Sequence, residues 1–314
     1  MGLETRAVAA IAKRTLGRAA VMPGPAGRTR RVVARTTNIA YAHHVGPSAP
    51  HYQAFDSGFG YRELDRTLAT LSRWFTFASL TDVVDGTAKS ASGRPPIAVT
   101  FDDGFDLRRG PVLEILRRHR VSATTFVITG CVDNQHLMWR SKLSAVLASR
   151  PSEAVVAAYC DLAADQGLPP VRRAEAVLDA SRRWPMEFKD ALADELWERS
   201  AMPPVAAYLD HHRPYFTWDG LRQWIEAGHS VGLHTATHPD CSRLEPSDAS
   251  AEIEAPAAVL RSELGVESVP FSYPFGRRFP SAVERRLVHE RVITCALGVA
   301  GFSLAGRILY RRNR

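Results

Sequence analysis

An α/β fold with parallel strands is what the sequence predicts, and three observations carry that reading. Strand-like and helix-like runs alternate along most of the chain; 45% of its 314 residues are apolar, enough for the core of one large domain or one domain with an insertion; no internal repeat or long low-complexity segment breaks the alternation. A barrel and a doubly wound sheet both satisfy this pattern.

Residues 1–36 form a basic N-terminal segment, and the α/β domain is assigned to 37–314. The stretches "KRTLGR" and "GRTRRVVAR", with "YRRNR" at the other end, hold much of the excess of 40 Lys and Arg over 33 Asp and Glu. The formal charge of +7 favours anionic partners such as a membrane surface, nucleotide-linked sugars or acidic glycans. In the N-terminal segment basic and apolar residues are interspersed, unlike the separate regions of a signal peptide. A helix there could lie on an anionic membrane or form a plain surface helix. With no run of about 18 apolar residues, no transmembrane helix is expected. Cytoplasmic residence is the expectation, with any membrane contact peripheral, at the inner face through the basic helix, and no nucleic-acid partner. Cys131, Cys160, Cys241 and Cys295 form no C-x-x-C pair and suit reduced thiols.

The strands expected in order are "TNIAYAH" (37–43), "PIAVTFD" (96–102), "SATTFVIT" (122–129), "HSVGLH" (229–234), "VPFSYPF" (269–275) and "RVITCAL" (291–297). Apolar spacing and caps place helices at about 61–74, 107–119, 218–227, 247–264 and 280–289. Thr217 is a suitable N-cap for "WDGLRQWIEAG", and Gly228 can take the left-handed conformation that ends it. Residues 132–213 break the alternation with four helical runs separated by proline-containing breaks, and are read as a helical insertion that forms a lid or one wall of a cleft.

Ligands in parallel α/β folds bind beyond the carboxyl ends of the strands, so the residues there are the candidates for chemistry. Asp102 and Asp103 end one strand ahead of Gly104; turn formation or helix capping is the plain alternative. "GLHTATHPD" places His234 and His238 four residues apart at another strand end, where two imidazoles can converge on one metal ion or be ordinary histidines. Together, one carboxylate and two imidazoles make the three-ligand site of metal-assisted hydrolysis, with the second carboxylate left to act as a base. In "FSYPFG", Pro274 and Gly276 set a tight turn from which the Phe275 N–H could meet an oxyanion, with Tyr273 beside it. At the first strand's end His43 and His44 leave on opposite faces, so at least one points to the mouth.

These residues resemble the polysaccharide deacetylases with a NodB homology domain, carbohydrate esterase family 4. The motif T-F-D-D-G stands complete at Thr100 to Gly104, and H-[ST]-x-x-H-P at His234 to Pro239. The resemblance covers roughly residues 37–300 apart from the inserted helices. It implies a distorted (β/α)7 barrel with a helical insertion at about 132–213. Asp103, His234 and His238 would hold a divalent metal, Zn²⁺ by default with Co²⁺, Ni²⁺ or Mn²⁺ as alternatives, and Asp102 would be the general base. The reaction implied is removal of N-acetyl, sometimes O-acetyl, groups from a sugar or polysaccharide in cell-surface or exopolysaccharide metabolism.

Two departures stand out. Ser272 occupies the place where many members carry an arginine paired with the catalytic Asp. No histidine follows His289, so the family's C-terminal histidine, which protonates the leaving amine, is missing; "YAHHVG" is similar to a branch in which a histidine at the end of the first strand fills that role, and His43 is the match. The alternatives are a non-catalytic carbohydrate-binding member of the same fold and a deacetylase of a small N-acylated metabolite.

Overall fold

The computed structural model describes residues 38–54, 60–89 and 93–298. The basic segment at 1–36, and with it the helix expected there, lies outside the described residues, and no described helix is long and apolar enough to cross a membrane.

The chain enters through β1 (Ile39–Ala42), the one-turn helix α1 (Pro50–Gln53) and α2 (Tyr61–Trp74). β2 (Thr76–Phe77) and α3 (Leu80–Asp85) lead to β3 (Pro96–Phe101), and α4 (Val112–Arg118) returns to β4 (Ala123–Val127). Helices then follow without a strand: α5 (Trp139–Ser149), α6 (Ser152–Asp165), α7 (Ala176–Ser181), α8 (Lys189–Arg199) and α9 (Val205–His212). The barrel resumes with α10 (Trp218–Glu226), β5 (Ser230–Leu233), α11 (Ala255–Leu264), β6 (Phe271–Ser272), α12 (Ser281–His289) and β7 (Ala296–Leu297).

All strand pairs are parallel, in the order β1-β3-β4-β5-β6-β7, with β2 extending the sheet beside the start of β3. The sheet curls into an incomplete ring, and among the described residues β7 does not pair with β1. This is the distorted (β/α)7 barrel expected from the motifs.

The six expected strands are all present but shorter, and α1, β2, α3 and α9 are elements the sequence did not predict. The helix expected at 107–119 starts only at Val112, because Asp106 holds the preceding turn: its Oδ1 accepts the Arg108 N–H at 3.1 Å. The strand expected at 269–275 stops at Ser272, since Pro274 brings no N–H to the ladder and Phe275 turns left-handed at φ 56°. Thr217 caps α10 as expected, its hydroxyl accepting the Gly220 N–H.

The two-residue period of the strands decides what points into the ring. Val99, Phe101, Val231, Leu233, Phe271 and Tyr273 face outward into the large core shared with the helices. Ile39, Ala98, Phe126 and Leu297 belong to a small inner cluster that plugs the bottom. Phe126 fits there because its neighbour is Gly232, where a Cβ would stand 2.5 Å from the phenyl ring and 2.7 Å from the Pro270 carbonyl oxygen. Continuing the inward series past the ends of the strands reaches Asp102 after Ala98 and Thr100, His234 after Gly232, and Ser272 in β6.

Candidate active site at the barrel mouth

A cavity of about 450 Å³ opens over these strand ends, bordered by Asp102, Asp103, His234, His238, Ser272 and His43 among others. Strict alternation would send Asp103 outward after Asp102. Its left-handed backbone, at φ 69°, brings it back to the cavity, and Gly104 follows at φ 71° packed against the Val127 backbone. Thr235, His238 and Phe275 also have positive φ, so four of the ten such non-glycine residues in the described chain stand here. A β-branched threonine in that region is a strained conformation of the kind that clusters at functional sites.

Oδ1 of Asp103 stands 3.4 Å from Nε2 of His234 and 3.3 Å from Nε2 of His238, yet accepts no hydrogen bond among the described residues. Ligand atoms around a tetrahedral zinc at about 2.0–2.1 Å lie about 3.3 Å from one another, so this spacing fits a shared divalent ion better than direct pairing. All three residues are buried, and their ligand atoms lie within 4.8 Å of one another.

The shell behind the imidazoles is as specific as the shell in front. Nδ1 of His234 donates to the Ser272 carbonyl at 2.7 Å, leaving Nε2 turned to Asp103. The His238 N–H donates to the Thr235 hydroxyl at 2.9 Å, and its carbonyl accepts the Trp139 indole N–H at 2.9 Å. Between them the loop is clamped by Glu252, whose carboxylate accepts the Ala236 and Thr237 N–H groups, both at 3.0 Å, and the Thr237 hydroxyl at 2.7 Å. Glu252 sits in a π-helical turn, Ser250–Glu254, ahead of α11. Lys189 from the insertion donates to the same Thr237 hydroxyl at 2.8 Å. Sequence reasoning missed Glu252, Lys189 and Trp139, whose sequence contexts carry no motif.

Charge follows this geometry. Burial would raise Asp103, but the two imidazoles outweigh it and hold its carboxyl well below the usual range. Burial lifts Asp102 above its usual value against the pull of His234 and His43, and the Ser272 hydroxyl faces it where many family members carry an arginine. His238 is pushed by burial down to about 4, and so is a neutral imidazole at neutral pH. Burial opposes charge on His234 as well, but the two carboxylates beside it raise its pKa.

His43 borders the cavity, with its ring 5.7 Å from Tyr41. His44 leaves on the other face, between Tyr52 and Phe105. Phe275 lies at the rim, its ring 4.8 Å from that of His238. Tyr273 also borders the cavity, but the alternation turns its ring into the outer core, 4.6 Å from Phe271. The wall opposite the strands comes from the insertion: Met138, Trp139, Arg140, Arg182 and Met186.

Among solved structures, the fold is similar to a Streptococcus pyogenes deacetylase, PplD, in complex with acetate, at 16% identity over 80% of this chain and 79% of that one, TM-score 0.48. It is also similar to IcaB from Ammonifex degensii, at 16% identity over 83% and 84% of the two chains, TM-score 0.47. A de-N-acetylase from Aggregatibacter actinomycetemcomitans gives 11% identity over 84% and 87%, TM-score 0.49. No curated protein sequence matches the chain. The family model for polysaccharide deacetylase matches residues 89–288, a span that contains both aspartates, both histidines and the whole insertion. The chain therefore belongs to the polysaccharide deacetylase family.

Proposed function

We propose that this chain is a divalent-metal-dependent hydrolase that removes the N-acetyl group from a sugar of a cell-surface or exopolysaccharide, with O-acetyl groups as a second substrate class. The observation that carries the reading is the buried Asp103, His234 and His238 cluster with an unsatisfied carboxylate oxygen, next to Asp102, in a member of the polysaccharide deacetylase family.

In this reading Asp103, His234 and His238 hold the ion, and zinc matches their one carboxylate and two imidazoles. When bound, the ion would lower the pKa of a water and polarise the acetyl carbonyl. Asp102 takes the proton of the attacking water. Its Oδ1 is buried and accepts no hydrogen bond among the described residues, so it has an acceptor to offer the water. Ser272 orients that carboxylate through its hydroxyl, a weaker restraint than an arginine. The Phe275 peptide faces the developing oxyanion from the rim, and His43 gives a proton to the departing amine from the opposite side of the mouth.

The test is acetate release from an N-acetylglucosamine oligomer by protein purified without added metal. Release that stops with a chelator and returns with zinc supports the reading. Chelator-insensitive release refutes the metal role, and sugar binding without acetate release makes the chain a non-catalytic binding member of its family.

A further inference from the structure

We propose that Glu252 is a positioning residue for His238: its carboxylate, clamped on the loop between the two histidines, directs the second imidazole through the main chain, where a ring hydrogen bond would ordinarily do so. This rests on the reading of Asp103, His234 and His238 as metal ligands.

The two imidazoles are held in different ways. His234 continues the β5 ladder, its N–H donating to the Val127 carbonyl at 2.8 Å, and its Nδ1 is anchored on the Ser272 carbonyl. His238 is also buried and turns Nε2 to the same Asp103 oxygen, but its Nδ1 has no hydrogen-bond partner among the described residues. A histidine that binds a metal almost always donates its other ring N–H, which fixes the ring. Here the Phe275 ring packs against His238 without offering a carbonyl or carboxylate.

The direction of the His238 ring therefore comes from the backbone behind it, and that backbone is strained. Thr235 and His238 have φ of 67° and 61°, conformations that persist only where the surroundings over-determine them. The end of β4 holds one side of the loop: the Thr129 and Gly130 N–H groups donate to the Thr235 and Ala236 carbonyls at 3.2 and 3.1 Å. A Cβ at Gly130 would stand 2.8 Å from the Ala236 carbonyl oxygen, so this approach needs glycine. On the other side the Ala236 and Thr237 N–H groups end on Glu252.

The helix that carries Glu252 is shaped for this contact. In its π turn the Ala255 N–H reaches back to the Ser250 carbonyl, and Pro256 has no N–H to give the Glu252 carbonyl one turn before it. That carbonyl accepts the Ala236 N–H at 3.1 Å, beside the carboxylate oxygen Oε2 that accepts it at 3.0 Å. Single π turns recur at functional sites. Lys189 completes the clamp from the insertion. Its buried ammonium only donates, so the Thr237 hydroxyl accepts from it and directs its own hydrogen to Oε1 of Glu252. The same ammonium pairs with Asp190 at 2.7 Å.

The experiment measures zinc affinity, by competition with a chromophoric chelator, and thermal stability for the wild type, E252A, E252Q and E284Q. E284Q is the control, because it breaks the ion pair of Glu284 on α12 with Arg278 and so lowers stability without touching the loop. E252A should bind zinc about 10- to 100-fold more weakly than the wild type, the scale of a lost partner behind a ligand. E252Q, which keeps one accepting oxygen, should fall between the two, and E284Q should match the wild type. Equal affinity in E252A and the wild type, or an equal loss in E284Q, overturns the assignment. Should E252A not fold, a loss in E252Q that E284Q does not share decides in its place. Crystal structures of the metal-free wild type and Glu252 variant give a readout that needs no ion. Nε2 of His238 should stay near 3.3 Å from Oδ1 of Asp103 in the wild type and leave it in the variant, and a ring that keeps its place in both overturns the assignment. Wild-type protein that binds no zinc would refute the metal reading, and the two structures would still decide whether Glu252 directs His238.

Discussion

On the floor of the cavity Asp102, His234 and Ser272 continue the inward faces of three parallel strands, whereas on its wall Trp139, Arg140 and Arg182 stand at helix ends backed by a separate core. The floor residues inherit their direction from the sheet ladder, which pairs β3, β5 and β6 on both sides and leaves little freedom to the residues at their ends. The wall is positioned by side-chain packing around Trp184, whose ring stacks on Tyr159 at 6.4 Å and lies 6.1 Å from Trp139. A ladder tolerates little variation, while a packed cluster accepts many sequences of similar volume. Chemistry common to a family therefore belongs on the floor, and selectivity particular to one member belongs on the wall.

The two regions are nevertheless bonded. The Trp139 indole reaches the His238 carbonyl and Lys189 reaches Thr237, so the insertion grips the loop that carries the second histidine. Of the two roles expected for the insertion, the wall is the one these bonds suit.

Breaking the floor should have the largest effect. His238→Ala should reduce bound metal to background and abolish turnover, because two protein ligands rarely hold an ion at neutral pH; elemental analysis of the purified variant checks this. Asp102→Asn, by contrast, should retain the metal and lose at least about 10² in turnover, the scale of a general base. An Asp102→Asn variant that loses its ion instead of retaining it would mean that the two aspartates have exchanged roles.

At the edge of the floor, His43→Ala should lower turnover of an N-acetyl substrate by about 10² and affect an activated O-acetyl ester much less, since that leaving group needs no proton. His44→Ala, whose ring packs between Tyr52 and Phe105, should instead lower thermal stability and treat both substrates alike. Parallel kinetics on the two substrates separate the cases, and the reverse pattern would assign the proton donor to His44.

Crossing from wall to floor should produce the smallest effect. Lys189→Met removes one donor from Thr237 while Glu252 keeps the loop's other hydrogen bonds. The expected cost is about 1–3 kcal/mol in denaturant unfolding, with metal retained and turnover reduced severalfold. No change in turnover would show that the wall and the floor act independently.

Much of the floor was legible because strands carry a two-residue period and end at identifiable residues. Thr100 to Gly104 and His234 to Pro239 are short, contiguous and set directly at strand ends, so their spacing already suggests convergence. Glu252 was not legible: it acts on residues about 15 positions earlier, and only the π-helical turn brings its carboxylate to Ala236 and Thr237. Nor were Arg140 and Arg182, since a surface arginine and a cavity arginine look the same in a sequence.

The left-handed turn at Asp103 lies between these cases. An aspartate followed by glycine allows it, but the need for it appears only when both aspartates must face one cavity. By itself, then, the sequence determined the parallel α/β class, the helical insertion and the identity of the carboxylates and imidazoles at the mouth, because hydrophobic period, caps and contiguous motifs are local properties. The choice of a barrel over a doubly wound sheet came from the family resemblance those motifs carry. Only the tertiary structure decided that His43 rather than His44 faces the cavity, that Tyr273 packs outward, and that the insertion supplies a cationic wall. Those outcomes depend on which strand face closes inward and which helix ends meet across the ring, and both are set by burial shared among segments far apart in the chain.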